Sequence, residues 1–406
     1  MASIWYISKY MSFPTQGRVG LRAFMILREM VKMDHDCVAI TSDSNHLIDP
    51  PSIPGTHLVE TIDGVTVCWV KTRKYRGAKS FGRILSWLDF EWRLWRLPET
   101  GFTPPDAVIV SSLSLFTIFN GLLLRQRFGC KLIFEVRDIW PLTIVEEGGF
   151  SRFNPFVMGL QMVETLAYRT SDAIVGTMPN LRQHVAELVG IGKAVHCVPM
   201  GFDDAPTEAT PLPADYVSEH LPKDKFIVCH AGTVGITNAL DTFFECARNM
   251  RDSDDVFFLI VGDGDLKEHY RAANSDLPNV GFAPAVPKPM VQAVLDHCDL
   301  LYFSTHPSKV WKFGQSLNKV IDYMLAGRPV VASYSGYPSM INEAGSGSYV
   351  PSGDPMALET EIRRFAAMPR EERLRLGRAG REWVLKNRSY GALATDYLSI
   401  ALGETK

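Results

Sequence analysis

Three lysines, Lys309, Lys312 and Lys319, fall within one polar stretch between two apolar segments. Residues 300–303 before it have the short apolar composition of a buried strand, and 319–325 have the pattern of a short helix. A loop that follows the carboxyl end of a strand and leads into a helix is where open α/β sheets bind ligands, and helix N-termini favour anions. The lysines therefore indicate a ligand that carries phosphate.

A second candidate site follows the apolar segment 131–136. Arg137 and Asp138 lie side by side there, just ahead of Trp140 and Pro141. Opposite charges beside an aromatic ring at the carboxyl end of a predicted strand favour a functional site on an α/β sheet. A local ion pair that only satisfies the loop would give the same pattern, so the residues alone leave both interpretations open.

Both candidate sites belong to a chain that alternates short apolar segments with amphipathic ones, which predicts strands and helices in βαβ order. The first half starts with a strand at 4–7, a loop containing Gly17 and Gly20, and a helix at 21–33. These glycines indicate either turn chemistry alone or a backbone that approaches a phosphate or sugar. The proline-rich segment 206–213 marks a linker, after which the pattern restarts.

We therefore predict an α/β protein with two Rossmann-like, doubly wound domains facing a central cleft. A chain of 406 residues is long enough for both. The N-terminal domain is expected to cover 1–203 and the C-terminal domain 204–384. A final helix, at about 385–406, could pack back on the first domain.

The composition excludes several classes of protein. Hydrophobic residues make up 46% and charged residues 21% of the chain, which is typical of a soluble folded protein. The net charge of −3 gives no nucleic-acid signature. The seven cysteines are scattered, which argues against a disulfide framework or a zinc site. We expect no metal, because no cluster has the usual ligand spacing, and we predict no cofactor.

Three segments bear on membrane contact and targeting. The N-terminal segment 1–10 has too short an apolar run for a signal peptide and is predicted to be a strand. Residues 107–124 carry no charge but are barely long enough to span a bilayer, and a strand followed by a helix is favoured. Residues 71–97 combine a basic front with a rear that contains three tryptophans. That composition favours contact with an anionic membrane surface; an amphipathic helix packed on the core is the alternative.

The second half of the chain contains short motifs in a fixed order. They are Ala231-Gly232-Thr233-Val234-Gly235, Ile260-Val261-Gly262-Asp263-Gly264, Asn279-Val280-Gly281-Phe282, and Ser316-Leu317-Asn318-Lys319 followed by Asp322-Tyr323-Met324. In this order and spacing they resemble the donor domain of glycosyltransferase family 4, which has the GT-B fold. The segment 134–141, FEVRDIWP, is similar to a bacterial branch of that family which builds surface polysaccharides and O-antigens.

The resemblance implies a role for each matched position. The carboxylate of Asp322 is expected to hold the nucleotide ribose, and the backbone around Ser316, Leu317 and Asn318 to face the diphosphate. Arg137 and Asp138 occupy the place of the family's acceptor-side pair. The remaining donor-side positions lie in loops near the phosphates or the base: Gly17, Gly20, Gly232, Thr233, Gly235, Gly262 and Phe282.

Two departures from the family pattern concern charge. The family's first acidic residue would stand at Gly314, and its arginine and lysine after the glycine loop are replaced by residues 236–238, ITN. We therefore predict that Lys319, or else Lys312 or Lys309, supplies the positive charge for the phosphates. A solvent-facing helix start is the alternative for Lys319, although a cation at a helix N-terminus is unfavourable without an anion to meet.

Together these residues predict a retaining, metal-independent glycosyltransferase. It would move a hexosyl or N-acetylhexosaminyl group from a nucleotide sugar, with UDP favoured, to a hydroxyl of a lipid-linked saccharide used in surface-polysaccharide synthesis. Asp138, Arg137 and Lys319 are the predicted catalytic residues. The protein is expected to be cytoplasmic and to lie on the inner membrane face through 71–97. A sugar-nucleotide epimerase and a non-catalytic nucleotide-sugar-binding subunit are the alternatives.

Overall fold

The computed structural model describes residues 1–14, 22–45, 48–75, 81–98, 101–204 and 210–403. The chain divides into two compact units. The first unit comprises Met1–Asp203 and Tyr390–Lys406, and the second comprises Asp204–Ser389. Each unit is built on its own largely parallel sheet flanked by helices, so the predicted α/β architecture with two Rossmann-like domains is confirmed.

The first unit contains an eight-stranded sheet within the described residues. Its strands are β1 (Ser3–Ile7), β2 (Asp36–Ser42), β3 (His57–Ile62), β4 (Val65–Val70), β5 (Ala107–Ser111), β6 (Lys131–Val136), β7 (Ala173–Gly176) and β8 (Val195–Cys197). The spatial order is β3-β4-β2-β1-β5-β6-β7-β8. All neighbours are parallel except β3 and β4, which form an antiparallel pair. The central strands are buried along their whole length, as their continuous apolar composition requires.

The first helices of this unit are α1 (Arg22–Lys32), α2 (Phe81–Trp95), α3 (Thr117–Phe128), α4 (Leu142–Glu146), α5 (Pro155–Thr170) and α6 (Leu181–Val189). The uncharged segment 107–124 falls into β5 and α3, which confirms the prediction of a strand followed by a helix. Within the described residues, no helix combines the length and the apolar character needed to cross a membrane.

The second unit contains a six-stranded sheet within the described residues. Its strands are β9 (Phe226–Ala231), β10 (Val256–Val261), β11 (Val280–Ala283), β12 (Leu300–Ser304), β13 (Val330–Ser333) and β14 (Gly347–Val350). All pairs are parallel, in the order β11-β10-β9-β12-β13-β14. The chain therefore builds outward from β9 on one side and then resumes at β12 on the other. This reversal is a topological switch point, where ligands bind beyond the carboxyl ends of the strands.

The helices of the second unit are α7 (Ala214–His220), α8 (Asp241–Asn249), α9 (Lys267–Ala273), α10 (Val291–Leu295), α11 (Asn318–Leu325), α12 (Pro355–Ala367) and α13 (Arg370–Asn387). Short 3-10 turns lie at Ile236–Asn238, Lys288–Met290 and Lys309–Phe313. Phe243, Phe258 and Tyr302 bring α8 and the sheet together in a buried aromatic cluster. This packing holds the loops of the switch point on a rigid base.

The chain returns to the first unit through α14 (Tyr390–Leu402). This helix buries Leu393 and Tyr397 in the same hydrophobic core as Phe24 and Leu27 of α1. At its end, Nζ of Lys131 donates a hydrogen bond of 2.6 Å to the carbonyl oxygen of Ile400. The last helix is thus part of the core of the first unit, although it follows the second unit in the sequence.

A buried ion pair lies under the carboxyl end of β6. Nη1 of Arg22 donates to Oε1 of Glu135 at 2.7 Å, and neither side chain has any solvent exposure. The hydroxyls of Tyr6 and Tyr397 donate to the same carboxylate. Burial by itself would raise the pKa of Glu135, but the charges of Arg22 and Arg137 together with the hydrogen bonds from Tyr6 and Arg22 lower it. Since losing one partner would leave a buried charge uncompensated, the network fixes the start of α1 against the end of β6.

Lys9 is a buried lysine, and its environment leads us to expect an unusual pH dependence of the stability of the protein. Its Nζ donates to Oγ of Ser86 at 2.9 Å and of Ser42 at 3.3 Å, and burial lowers its pKa to about 7. Because the unfolded chain then binds more protons between about pH 7 and the ordinary lysine pKa, stability should rise with pH across that window.

We expect Lys9→Met to raise the free energy of unfolding at pH 7 by about 1 kcal/mol and to remove most of that rise. Thermal denaturation of both proteins from pH 6 to 10 measures the difference, and identical pH profiles would contradict the assignment.

Candidate active site

The loops after β9 and β10 touch through their glycines. Gly232 and Gly262 have φ values of 150° and 149°, which side chains rarely allow. A Cβ placed on Gly262 would lie 1.9 Å from the carbonyl oxygen of Gly232. The amide of Gly232 donates to Val261 O at 2.9 Å, and that of Val234 donates to Asp263 O at 2.8 Å. The two loops therefore form one backbone surface at the switch point, where the glycines themselves carry no side chain.

Lys319 lies beside this surface. A Cβ on Gly232 would be 3.7 Å from its Nζ, and Nζ donates a hydrogen bond to Oδ1 of Asn238. Burial lowers the pKa of Lys319 to about 8. Among the described residues, no carboxylate forms an ion pair with it. A half-buried ammonium next to a glycine loop can meet an anion at little further desolvation cost.

Asn238 was noted in the sequence only as a departure from the family pattern. Its Nδ2 donates to the carbonyl oxygen of Thr233 at 2.8 Å, while its own carbonyl accepts from Oγ of Ser304 at 2.6 Å. It therefore ties the glycine loop after β9 to the end of β12 and to Lys319. His230 beside it stays neutral, because burial and the charge of Lys319 lower its pKa to about 3.

The start of α11 is held against the end of β9. The hydroxyl of Tyr323 accepts from the amide of Ala231 and donates to its carbonyl, both at 2.9 Å. Leu317 is the N-cap residue, and its amide donates to Oε1 of Gln315 at 3.0 Å. Ser316 and Asn318 flank it, so all three predicted diphosphate positions lie at the helix N-terminus.

The other charged positions of this stretch lie in the 3-10 turn at Lys309–Phe313. Nζ of Lys312 lies 5.6 Å from the ring centroid of Phe313. Gly314 follows with a φ of 97°, a conformation that suits glycine better than the acidic residue of the family pattern.

Asp322, the predicted ribose carboxylate, is already engaged. Both of its oxygens accept hydrogen bonds of 2.6 Å from Nζ of Lys288. Lys288 belongs to the 3-10 turn after β11 and is half exposed, so it was not distinguishable in the sequence from an ordinary surface lysine. A ribose that binds Asp322 would therefore have to share the Asp322 carboxylate with Lys288 or displace Lys288 from it.

Lys267 is a second cation that the sequence did not single out. It is buried, and its Nζ donates to Gly262 O at 2.7 Å and to Ala283 O at 3.3 Å. It thereby joins the loops that follow β10 and β11. Its place in the first turn of a short helix carried no signal, because the direction of the side chain depends on how that helix packs.

Phe282 contributes its ring to the core of the second unit. The ring stacks on Phe244 at a centroid distance of 5.7 Å and an interplanar angle of 18°, and Arg271 lies 5.4 Å from its centroid. Because the ring is engaged in this packing, we expect a ligand to contact the backbone of the nearby loop and not the ring. Gly235 is extended and precedes the turn at Ile236–Asn238. Gly17 and Gly20 lie outside the described residues.

Arg137 and Asp138 lie at the carboxyl end of β6 in the first unit. Oγ of Ser112, next to the end of β5, accepts from the amide of Arg137 at 2.9 Å and donates to the carbonyl of Asp138 at 3.4 Å. The Asp138 side chain keeps solvent access, yet partial desolvation raises its pKa, and Arg137 offsets part of that rise. The structure thus anchors the backbone of both predicted residues and leaves the carboxylate reachable.

Glu147 is a further carboxylate near Asp138. It is the C-cap residue of α4. Desolvation and the negative charge of Asp138 both raise its pKa. The sequence had not indicated it, because a loop and the helix α4 lie between the two positions. Among the described residues, no group of three or more histidine, cysteine or acidic side chains is placed to hold a metal ion.

Two protein-family models match the chain, one in each unit. Residues 19–201 match the model described as glycosyl transferase 4-like domain, and residues 225–367 match that described as glycosyl transferases group 1. The chain belongs to the glycosyltransferases. No curated protein matches it. Its assignment to the glycosyltransferases therefore rests on the two family models.

Solved structures with a similar fold include several GT-B enzymes. Sucrose-phosphate synthase from Thermosynechococcus elongatus is 16% identical, with a TM-score of 0.67 and 98% of both chains covered. An E. coli trehalose-6-phosphate structure bound with UDP-2-fluoro glucose is 12% identical, with a TM-score of 0.73 and full coverage of both chains. Anabaena HepE in complex with UDP and glucose is 13% identical, with a TM-score of 0.60 and coverage of 98% of this chain and 99% of that one. At this level of identity they establish the GT-B fold of the glycosyltransferase.

Proposed function

We propose that this glycosyltransferase moves a sugar from a nucleotide sugar to a hydroxyl of a lipid-linked saccharide, with retention of configuration and without a metal. The observation that supports binding of a nucleotide sugar in the second unit is the position of Lys319. It places an ammonium without an ion-pair partner, among the described residues, beside the glycine loop at the switch point of the second unit. A diphosphate is the ligand whose charge this arrangement matches.

UDP is the nucleotide that we propose. HepE and the E. coli structure were solved with UDP or a UDP sugar, and their fold is shared by this chain. The N-terminus of α11 would face the diphosphate at Ser316, Leu317 and Asn318, and Asp322 would bind the ribose hydroxyls.

The proposed chemistry is attack of an acceptor hydroxyl on the anomeric carbon of the donor sugar. The bond from that carbon to the diphosphate oxygen breaks, and the nucleotide diphosphate leaves with the electron pair. Attack from the face of departure retains the configuration, and the departing phosphate can take the proton of the hydroxyl. Lys319 and the helix amides stabilise the growing charge on the diphosphate. Asp138 orients the acceptor hydroxyl and Arg137 binds an acceptor phosphate.

The proposed contact with the inner membrane face now depends on different residues of 71–97. Lys74 pairs with Asp43 at 2.9 Å, and the guanidinium of Arg83 lies 5.4 Å from the ring centroid of Trp87. Two of the basic residues at the front are therefore engaged in packing, and Arg76 and Lys79 lie outside the described residues. The tryptophans at the rear of α2 are the stronger reason to propose a peripheral, cytoplasmic location on the membrane for surface-polysaccharide synthesis.

A ligand panel tests the donor side. We expect UDP sugars to raise the melting temperature of the protein more than GDP or dTDP sugars do. Because Asp322 is proposed to bind the ribose, wild-type protein should bind 2′-deoxy-UDP about tenfold more weakly than UDP, and Asp322→Asn should bind both alike. Titration calorimetry measures the four affinities. An unchanged preference in Asp322→Asn would assign the ribose to another residue.

Product analysis separates transfer from the alternatives. Purified protein with a UDP sugar and a lipid-linked saccharide should give an extended saccharide and UDP. Formation of an epimeric nucleotide sugar from the donor alone would favour an epimerase. Tight nucleotide-sugar binding without any product would favour a non-catalytic subunit.

A further inference from the structure

A cavity of about 400 Å³ opens between α2 and α3 in the first unit. Apolar side chains from the sheet and from both helices line most of it, among them Trp5, Leu94, Trp95 and Leu123, and polar Asn120, Gln126 and Arg127 complete the lining. Trp95 is 57% exposed and Leu123 is 47% exposed, so the mouth lies at the surface. Its size and mostly apolar lining are those of a small-molecule site, and neither Arg137 nor Asp138 lines it.

Exposed apolar side chains flank the cavity on both helices. On α2, Leu88, Trp92 and Trp95 are exposed at spacings of four and three residues, which places them on one side of the helix. On α3, Phe119 and Leu123 are exposed at a spacing of four. Single exposed apolar residues are ordinary, but a patch of this kind marks an interaction site.

The same face leads to the candidate acceptor site. Trp87, near the start of α2, packs edge to face on Trp140 at 5.6 Å, two residues beyond Asp138. Trp95 follows Trp87 by eight residues, about 12 Å along the helix. Trp87 itself is buried, but Leu88 beside it begins the exposed stripe on α2, which runs from the turn of the helix next to Trp140 to the mouth of the cavity.

A partly buried carboxylate joins the two helices that border the cavity. Glu91 of α2 accepts hydrogen bonds from Ser114 at 2.8 Å, Thr117 at 2.7 Å and Asn120 at 2.8 Å, at the start of α3. These bonds fix the two helices against each other. The two helices that border the cavity are therefore held together by specific hydrogen bonds.

We propose that this cavity binds part of the hydrocarbon chain of the lipid-linked acceptor, whose saccharide end lies at Arg137 and Asp138. The proposal rests on the proposed transferase function and specifies the acceptor end of its site. The apolar side chains of the lining suit a hydrocarbon. Arg127 at the cavity and Arg96, whose guanidinium lies 4.6 Å from the ring centroid of Trp92, supply positive charge for the anionic phosphates of a bilayer.

Alkyl phosphates of increasing length are the direct probe. We expect octyl, decyl and dodecyl phosphate to bind with affinities that rise about fourfold per added methylene until the chain fills the cavity. Changes in tryptophan fluorescence report binding, since Trp5 and Trp95 line the cavity. Inorganic phosphate should not compete. Competition by inorganic phosphate, or affinity independent of chain length, would overturn the proposal.

A cavity-filling variant separates the cavity from the exposed face. Leu123→Trp should lower the affinity for dodecyl phosphate at least about tenfold, while Phe119→Trp should leave it unchanged. Phe119 lies on the same helix, is 44% exposed and does not line the cavity, so it is the matched control. Equal effects of the two substitutions would assign binding to the surface and overturn the proposal. If Leu123→Trp failed to fold, Trp95→Ala would replace it, with the same expected loss.

Vesicles and nucleotide binding complete the test. Co-sedimentation with vesicles of phosphatidylcholine and phosphatidylglycerol should persist in Leu123→Trp, because the exposed face remains. If Leu123→Trp lost vesicle binding to the same extent as dodecyl phosphate binding, the proposal that the cavity is a specific site for the hydrocarbon chain would be overturned. The alkyl phosphate titration needs no nucleotide sugar. A negative result there therefore contradicts only the proposed hydrocarbon site, whereas a negative result with UDP sugars contradicts only the proposed donor site.

Discussion

Replacing Lys319 by alanine is expected to lower kcat/KM for sugar transfer about a thousandfold while leaving the fold intact. The ammonium lies beside Gly232 at the switch point, where the charge of the leaving diphosphate would develop. A preorganised donor at such a position contributes on the order of a hundred- to a thousandfold in rate. Steady-state kinetics with a UDP sugar measures the loss, and thermal denaturation checks the fold.

The pH profile gives an independent test of Lys319. Since burial lowers its pKa to about 8, the protonated form that meets phosphate is lost as the pH rises through 8, and kcat/KM should fall there. Lys319→Arg should keep part of the activity and lose this decline, because arginine stays charged.

The matched control for Lys319→Ala is Lys386→Ala, an exposed lysine of α13 that should behave as wild type. Full activity of Lys319→Ala would remove this lysine from the mechanism. A loss seen only in Lys312→Ala or Lys309→Ala would move the phosphate charge to the turn before α11.

Replacing Asp138 by asparagine is expected to lower kcat by about a hundred- to ten-thousandfold, with the KM for the nucleotide sugar unchanged. Asp138 lies in the first unit, whereas Lys319, Asp322 and the N-terminus of α11, which are proposed to bind the donor, belong to the second. Desolvation raises the pKa of Asp138, so the ionised, active form is lost as the pH falls through that value. The acid limb of the kcat profile should therefore be present in wild type and absent in Asp138→Asn.

Glu147→Gln is the comparison for Asp138→Asn. The two carboxylates are close enough for the charge of Asp138 to raise the pKa of Glu147. Removing Glu147 should change kcat much less than removing Asp138. If Glu147→Gln loses more activity than Asp138→Asn, Glu147 is the residue that orients the acceptor hydroxyl, and Asp138 acts by raising the pKa of Glu147.

Much of the fold could be predicted from local patterns. The segment 107–124 was expected to be a strand and a helix, and it forms β5 and α3. The stretch with three lysines was expected to leave a strand at 300–303 and enter a helix at 319, and it leaves β12 at Ser304 and enters α11 at Asn318. Apolar periodicity reports these elements because neighbouring residues within one element decide them.

Charged side chains could not be predicted in the same way. Lys74 and Arg83 belong to a basic segment that indicated a membrane surface, yet they contact Asp43 and Trp87. Lys288 and Lys267 carried no signal, although one holds Asp322 and the other joins two loops of the switch point. A long flexible side chain takes its direction from whatever the tertiary structure places within its reach.

The sequence by itself determined the βαβ order, the residues that follow each strand and the glycines at positions such as Gly232 and Gly262. These follow from apolar patterns and from backbone conformations that only glycine adopts easily. The tertiary structure alone decided the partners: Lys319 with Asn238, Asp322 with Lys288, and Arg22 with Glu135. These residues are 81, 34 and 113 positions apart. Only the packing of distant strand ends brings such residues into contact, and electrostatic interactions depend on that distance.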